Sequence, residues 1–234
     1  MTNNYHKEFN KLLGELSTSR WRIDAFRDFL IMAHISLANT VYHSKELEED
    51  YQEVAKNYND EQIKKFSGML AIATMALREK HQDFLGEAFM GNEMGSSYKG
   101  QFFTPYHISS SMSQITLEDI ETTIKEKGWF TLSEPACGSG GMIIACDEVV
   151  AKYGYKSSEV MYVEAKDVDN LCFMMTYIQL SLLDIPAKVI LGDSLQMTQT
   201  KALYTPSFVK NNWTEKIEKY ETSDDEEMEL EKAV

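Results

Sequence analysis

The stretch that decides the fold is Trp129–Met142, which reads WFTLSEPACGSGGM. A short run of apolar and β-branched residues is followed by a glycine-rich turn, and helix-forming residues begin beyond it. Such a turn lets the backbone approach a ligand, and the helix N-terminus offers N–H groups to a carboxylate or phosphate. Alone, the pattern fits a nucleotide site and a structural turn equally well. It lacks the Lys-Ser/Thr of a P-loop, and Ile143 stands where a dinucleotide fingerprint needs its third glycine.

Two further apolar runs follow the first predicted strand, Phe130–Leu132, and they lie at Val160–Val163 and Val189–Leu191. Helix-length segments, Gly141–Lys152 and Asp169–Leu183, separate the three runs. This alternation predicts an α/β fold with a truncated Rossmann-like sheet of about three parallel strands, joined by right-handed crossovers. Ligand-binding groups are therefore expected just after the strand ends.

The second and third predicted strands are each followed by an acidic residue. Glu164 follows Val163, where a carboxylate accepts hydrogen bonds from both ribose hydroxyls of an adenosyl ligand. Asp193 follows the third strand, where an aspartate can accept a hydrogen bond from the exocyclic amine of an adenine. The alternatives are an exposed acid at position 164 and a helix cap or turn cap at position 193. Suitable groups after three successive strands favour a nucleotide-like cofactor.

The chain before these strands is predicted to be helical. Apolar residues recur at steps of three and four over Phe26–Val41 and over Phe66–Leu77, and Asp60 is the predicted N-cap of the second helix. The charged segment Lys45–Tyr58 predicts at most a helix with a solvated outer face. We divide the chain into a helical region over 1–98, a cofactor-binding α/β domain over 99–215 and an acidic tail over 216–234.

Charge and composition exclude several classes of protein. The hydrophobic fraction of 43% predicts a globular protein, and no apolar stretch is long enough to span a membrane. The net charge of -14 repels phosphate backbones, so we expect DNA to bind only weakly or through a partner. Part of this charge lies in Asp224–Glu231, a predicted solvated tail. The three cysteines are an odd number without metal-ligand spacing, so we expect neither a disulfide framework nor a metal site. The polar segment Met1–Asn10 lacks the apolar core of a signal peptide, which predicts a cytoplasmic location.

Four motifs in order resemble those of adenine-N6 DNA methyltransferases of the type I modification-subunit kind. They are Asp83–Phe89 (DFLGEAF), Gly100–Pro105 (GQFFTP), Glu134–Gly140 (EPACGSG) and Gly192–Leu195 (GDSL). The stretch Met174–Leu182 (MMTYIQLSL) is also similar to short N-6 DNA methylase-like proteins of bacterial mobile elements and phages.

The resemblance implies S-adenosylmethionine as the cofactor and assigns roles to individual residues. Phe103–Pro105 wall and orient its methionine end, and the loop Cys137–Gly141 presents N–H groups to its carboxylate. Glu164 holds the ribose, and Asp193 meets the adenine. The full expected set of cofactor-binding residues is Gln101, Phe102, Phe103, Thr104, Pro105, Glu134, Ala136, Cys137, Gly138, Ser139, Gly140, Gly141, Glu164, Asp193 and Ser194.

The same family captures the flipped adenine with an Asn-Pro-Pro-Phe/Tyr motif after a fourth strand, and these 234 residues do not contain it. Downstream of Asp193 lie Tyr204–Phe208 and Asn211–Trp213, with no apolar strand predicted before either. No catalytic residue is assigned. The aromatic residues Tyr204, Phe208 and Trp213 are predicted to pack a closing segment onto the sheet.

Three functions are compatible with these observations. The first is a non-catalytic protein that binds S-adenosylmethionine, of restriction-modification or antirestriction type. The second is an adenine-N6 methyltransferase completed by a partner subunit. The third is a nicotinamide-dependent enzyme, against which the Phe-Phe-Thr-Pro motif and the missing third glycine count. Since the first strand becomes a sheet edge in a truncated sheet, we expect a homodimer or a complex with a partner.

Overall fold

The computed structural model describes residues 4–18, 21–92 and 102–220, and it has the predicted α/β order. The helices are α1 (Tyr5–Leu16), α2 (Arg22–Ala38), α3 (Lys45–Ala55), α4 (Asp60–Glu79), α5 (Phe84–Gly91), α6 (Tyr106–Thr116), α7 (Ile120–Lys127), α8 (Gly141–Lys152), α9 (Ser157–Val160), α10 (Asn170–Leu182) and α11 (Pro206–Lys210). The strands are β1 (Phe130–Glu134), β2 (Met161–Asp167), β3 (Ala187–Leu191) and β4 (Lys201–Tyr204). Residues 213–220 are also helical.

The N-terminal helices pack around α2, which contacts α1, α3 and α4 and also α10 of the α/β part. Because α2 has neighbours on several sides, it is buried well beyond the single predicted apolar stripe, and it ends at Ala38 rather than at Val41. The predicted N-cap of α4 is wrong by one residue. Asn59 caps this helix, and it forms a capping box with Gln62 that satisfies a backbone N–H at each of the two residues.

The sheet has the order β1-β2-β3-β4, with β1 at one edge. The first three strands are parallel, as predicted, and right-handed crossovers in this order place α8 and α10 on the same face. The expectation of no strand before Tyr204 is wrong, since β4 pairs antiparallel with β3. Its sequence, Lys-Ala-Leu-Tyr, is too short to show a strand period without its partner. Strand β2 also continues to Asp167, four residues beyond the predicted end at Val163.

The two faces of the sheet are covered differently. One face, with Val163 and Val189, belongs to a hydrophobic core that includes the N-terminal helices. The other face carries a small cluster of Tyr162, Phe208 and Trp213, which confirms that the aromatic segment packs onto the sheet. The helical residues 213–220 contribute to this packing, so ordered packing extends past position 216, where the acidic tail was predicted to start. Among the described helices, none is long and apolar enough to cross a membrane.

Candidate functional site

The glycine-rich loop connects the end of β1 to the first residue of α8, Gly141. Gly138 and Gly140 have φ values of +56° and +94°, a left-handed conformation that favours glycine. A Cβ atom on Gly140 would lie 3.3 Å from Thr176 Oγ1, and one on Gly138 would lie 3.1 Å from the Phe103 ring. Both glycines are therefore required by backbone conformation and by close packing.

Hydrogen bonds from β2 and α10 hold this loop in place. The N–H of Cys137 donates to the backbone oxygen of Lys166 at 2.9 Å, and the N–H of Gly138 donates to Asp167 Oδ2 at 2.9 Å. On the other side, Thr176 Oγ1 donates to the backbone oxygen of Gly138 at 2.9 Å. The loop is thus fixed before any ligand binds, which lowers the entropic cost of binding.

The first turn of α8 borders a cavity through Gly141 and Met142. Within the described residues, no acceptor pairs with the backbone N–H groups of Gly141 and Met142. The 12-residue helix adds its dipole to these donors, and together they favour a carboxylate or phosphate at this point.

A buried polar network joins the loop to the N-terminal helices. Asp83 caps α5 by accepting from the Gly86 N–H at 3.0 Å, and its other carboxylate oxygen accepts a hydrogen bond from Ser139 Oγ. Gln179 Nε2 donates to Asp83 Oδ1 at 2.9 Å and to the Ser139 backbone oxygen at 2.8 Å. Gln179 Oε1 accepts from the Leu85 N–H at 3.0 Å. Burial raises the pKa of the Asp83 carboxyl.

The cavity beside the loop has a volume of about 330 Å³, which lies in the range of small-molecule sites. Its walls come from the α5 N-cap, the segment before α6, α6 itself and the glycine-rich loop. The lining residues are Asp83, Phe102, Phe103, Thr104, Ser109, Met112, Glu134, Ala136, Cys137, Gly138, Ser139, Gly141 and Met142. The structure therefore brings together most of the residues that the sequence placed at the methionine end.

The four residues of the Phe-Phe-Thr-Pro segment differ in burial and in the contacts they make. Phe103 is half-buried and packs on Phe89 with 5.5 Å between ring centroids, whereas Phe102 is 75% exposed. Thr104 lines the cavity, and Pro105 is the N-cap residue of α6. Gln101 lies outside the described residues.

Glu164 does not lie at a strand end, and this part of the sequence prediction was wrong. It is in the middle of β2, paired with Ser133 of β1 and Lys188 of β3. Its side chain accepts from Tyr162 Oη at 3.2 Å and lines a different cavity, of about 700 Å³, on the aromatic face of the sheet. Asp167 is the acid that ends β2, and its carboxylate already accepts from the N–H groups of Gly138 and Asp169.

The turn after β3 is held by its own polar residues. Asp193 Oδ1 accepts from the N–H groups of Leu195 and Gln196, which is the turn-cap arrangement. Ser194 Oγ donates to the backbone oxygen of Pro135 at 2.6 Å and so ties the turn to the glycine-rich loop. Neither residue lines the cavity of about 330 Å³.

Sequence reasoning missed several residues that build the site. Asp83 was noted as part of a motif, but its contact with the loop spans 56 positions of sequence. Thr176 and Gln179 lie on one helix, and their polar side chains in an otherwise apolar segment were the available signal. Ser109 and Met112 carry no sequence signal, because only packing of α6 against α8 places them beside the cavity.

One solved structure found by comparison carries the description 'putative class I S-adenosylmethionine-dependent methyltransferase', from Listeria monocytogenes. It shares 16% sequence identity at a TM-score of 0.38, over 83% of this chain and 55% of that one. This chain thus spans about half the length of that protein. No curated protein matches the chain.

The family described as N-6 DNA methylase matches residues 80–230, which is more than half of the 234 residues and contains the whole loop and cavity. The chain belongs to the N-6 DNA methylase family, whose cofactor is S-adenosylmethionine.

Proposed function

We propose that this chain binds S-adenosylmethionine in the cavity of about 330 Å³ beside the glycine-rich loop and does not transfer a methyl group to DNA by itself. The observation that carries the proposal is the combination, in one cavity, of a preformed loop, the half-buried Phe103, and N–H groups at the start of α8 that have no acceptor among the described residues. The unpaired donors suit the cofactor carboxylate, and the aromatic ring suits its apolar chain.

The residues around the cavity divide between binding and orientation. Phe103 and Thr104 would wall the methionine end, and the N–H groups of Gly141 and Met142 would hold its carboxylate. We also propose that Asp193 and Ser194 lie next to the adenine of the cofactor. Ser194 supports this placement, because its hydrogen bond to Pro135 holds the turn after β3 against the glycine-rich loop. The cofactor supplies an activated methyl group when it is bound. The chain's own residues position it and exclude water from one side.

The lack of autonomous activity is proposed from two properties of the chain. Its 234 residues contain no Asn-Pro-Pro-Phe/Tyr, so no residue is assigned to hold an extruded adenine. The net charge of -14 also opposes binding to a DNA backbone. A cytoplasmic role in restriction-modification or antirestriction, on a mobile element, remains part of this proposal.

A second candidate function is favoured by the sheet itself. Strand β1 is an edge, with Thr131 and Ser133 exposed, and the face that carries Glu164 is only partly covered. A partner subunit that pairs with β1 and covers this face would complete the sheet and bring a catalytic segment next to the cofactor. In that case an adenine-N6 methyltransferase arises only in the complex, which also supplies the DNA-binding surface.

Calorimetric titration of the whole chain with S-adenosylmethionine, S-adenosylhomocysteine and NAD tests the binding proposal. We expect the first two to bind and NAD not to bind. Gly138→Ala should weaken binding about tenfold or more, because the new methyl group meets the Phe103 ring at 3.1 Å in a left-handed backbone. Gly154→Ala is the matched control, since Gly154 has a φ of +83° but no atom within 4 Å of the added Cβ. Equal losses of affinity for S-adenosylmethionine in both variants would contradict the assignment of this cavity as the cofactor site.

Incubation with labelled S-adenosylmethionine and unmethylated DNA tests the catalytic part. The pure protein should form no N6-methyladenine. Methylation by the pure protein that Asp193→Ala abolishes would overturn the proposal, and methylation only with a co-purified partner would establish the second function.

A further inference from the structure

One hydroxyl group in the cavity beside the glycine-rich loop has no hydrogen-bond partner among the residues that the structure describes. Ser109 is 1% exposed, it lines the cavity, and its Oγ makes no hydrogen bond within the described part of the chain. The neighbouring serines of α6 differ in this respect. Ser111 Oγ donates to the His107 backbone oxygen at 3.0 Å, and Ser113 Oγ donates to the Met142 backbone oxygen at 3.4 Å.

The Ser109 hydroxyl does not form the hydrogen bond that helical serines commonly make to the backbone of their own helix. A helical serine often donates to the backbone oxygen four residues earlier, which here belongs to Pro105. That oxygen already accepts from the N–H groups of Ile108 at 2.9 Å and Ser109 at 3.2 Å. A buried hydroxyl without a partner is unfavourable and rare in native proteins, so it calls for a partner that enters the cavity.

The surrounding groups indicate the chemistry of that partner. Asp83 lines the same cavity as a buried carboxylate, and no Lys or Arg side chain pairs with it among the described residues. Gly141 and Met142, whose N–H groups have no acceptor among the described residues, line the cavity at the start of α8. A negative group and a set of N–H donors around one cavity are complementary to a ligand that carries an ammonium and a carboxylate on the same carbon.

We propose that Ser109 Oγ is an additional cofactor-binding group that hydrogen-bonds the amino-acid end of S-adenosylmethionine. The hydroxyl can donate to the carboxylate or accept from the ammonium group. This inference rests on the proposed function of the cavity, and it names a residue outside the motifs that the sequence identified. It also sets Ser109 apart from the serines that merely satisfy the helix backbone.

The test compares two ligands that differ only at the amino-acid end. S-adenosylhomocysteine carries this end, and 5′-methylthioadenosine lacks it. Calorimetry on Ser109→Ala should show S-adenosylhomocysteine binding weakened by about tenfold, the usual effect of losing a hydrogen bond to a charged group. Binding of 5′-methylthioadenosine should be unchanged. Ser111→Ala, an exposed serine of the same helix, is the matched control and should change neither affinity.

A stability measurement separates binding from folding. Without ligand, Ser109→Ala should unfold at the same temperature as the parent or a higher one, because the substitution removes an unpaired buried hydroxyl. Unchanged affinity of the variant for S-adenosylhomocysteine would overturn the inference alone. Equal weakening of both ligands would also overturn it, since the hydroxyl would then act on cavity shape. A parent protein that binds neither ligand would overturn the proposed function, and this inference with it.

Discussion

Gln179 Nε2 donates a hydrogen bond of 2.8 Å to the backbone oxygen of Ser139, and so the middle of the glycine-rich loop is held by a side chain 40 residues away. The same amide group donates to Asp83 Oδ1 at 2.9 Å and accepts from the Leu85 N–H at 3.0 Å. One buried carboxamide thus connects the loop, the N-cap of α5 and helix α10. The cofactor loop and the N-terminal helices are therefore expected to unfold together.

We predict that Gln179→Met destabilises the protein by about 2 to 4 kcal/mol, because it leaves buried partners at Ser139, Asp83 and Leu85 without their hydrogen bonds. Urea unfolding measures this change, and calorimetry should show weaker binding of S-adenosylmethionine. Gln52→Met is the control, because Gln52 is exposed and its side-chain amide bonds Glu48 on the surface of α3. A Gln179→Met protein as stable as the Gln52→Met protein would contradict the role of the network.

The two acidic residues of β2 are predicted to differ in their effect on cofactor binding. Asp167→Asn should weaken binding of S-adenosylmethionine by about 1 to 3 kcal/mol, because Asp167 Oδ2 accepts the Gly138 N–H that shapes the loop. Glu164→Gln should leave the affinity unchanged, since Glu164 lines the cavity on the other face of the sheet. Calorimetry measures the affinity of both variants for S-adenosylmethionine. If only Glu164→Gln loses affinity, the sequence-based assignment of Glu164 to the ribose is correct.

Acid should destabilise the protein through His34. Burial lowers the pKa of His34 from 6.5 to about 4, and the charge of Lys201 acts in the same direction. Between these pH values the unfolded chain binds a proton that the folded chain does not bind, so stability falls as the pH is lowered through this range. The loss should reach about 3 kcal/mol near pH 4.

Urea unfolding at several pH values between 7 and 4 checks this prediction. His34→Gln should remove the His34 contribution to the slope of stability against pH, whatever its effect at neutral pH. His107→Gln is the control, because His107 is exposed on α6. The same slope in His34→Gln as in the parent would show that another group causes the acid loss.

The edge at β1 leads to a prediction about association. We expect a homodimer or a complex with a partner subunit, because β1 is an edge strand of the described sheet, carries the exposed Thr131 and Ser133, and has no strand paired to its outer side among the described residues. Light scattering at low micromolar concentration should give the mass of two chains, and Ser133→Lys should shift the mass toward one chain. Asn57→Lys adds the same charge at an exposed position in the turn after α3, away from the sheet, and should not change the mass. A parent protein with the mass of one chain and no co-purified partner would show that β1 stays unpaired.

The sequence by itself determined the order of strands and helices, the position of the glycine-rich loop and the aromatic segment that closes the sheet. These features depend on local apolar periodicity and on glycines at fixed positions, which act over a few residues. The same local rules failed at the end of β2. Lys166 and Asp167 are polar yet belong to β2. They lie at the C-terminal end of this strand, where the parallel strands meet the loops and polar groups are tolerated.

Only the tertiary structure decided which polar residues meet at the loop. Asp83 and Gln179 are 96 positions apart, and Ser109 is buried only because α6 packs against α8. Likewise β4 pairs because β3 offers it a free edge, and its four residues carry no strand signal of their own. Burial and long-range hydrogen bonds depend on how the whole chain closes around its core. Local sequence patterns do not specify these long-range contacts. The hydrogen bonds among Asp83, Ser139 and Gln179 and the burial of the Ser109 hydroxyl can therefore be seen only in the folded protein.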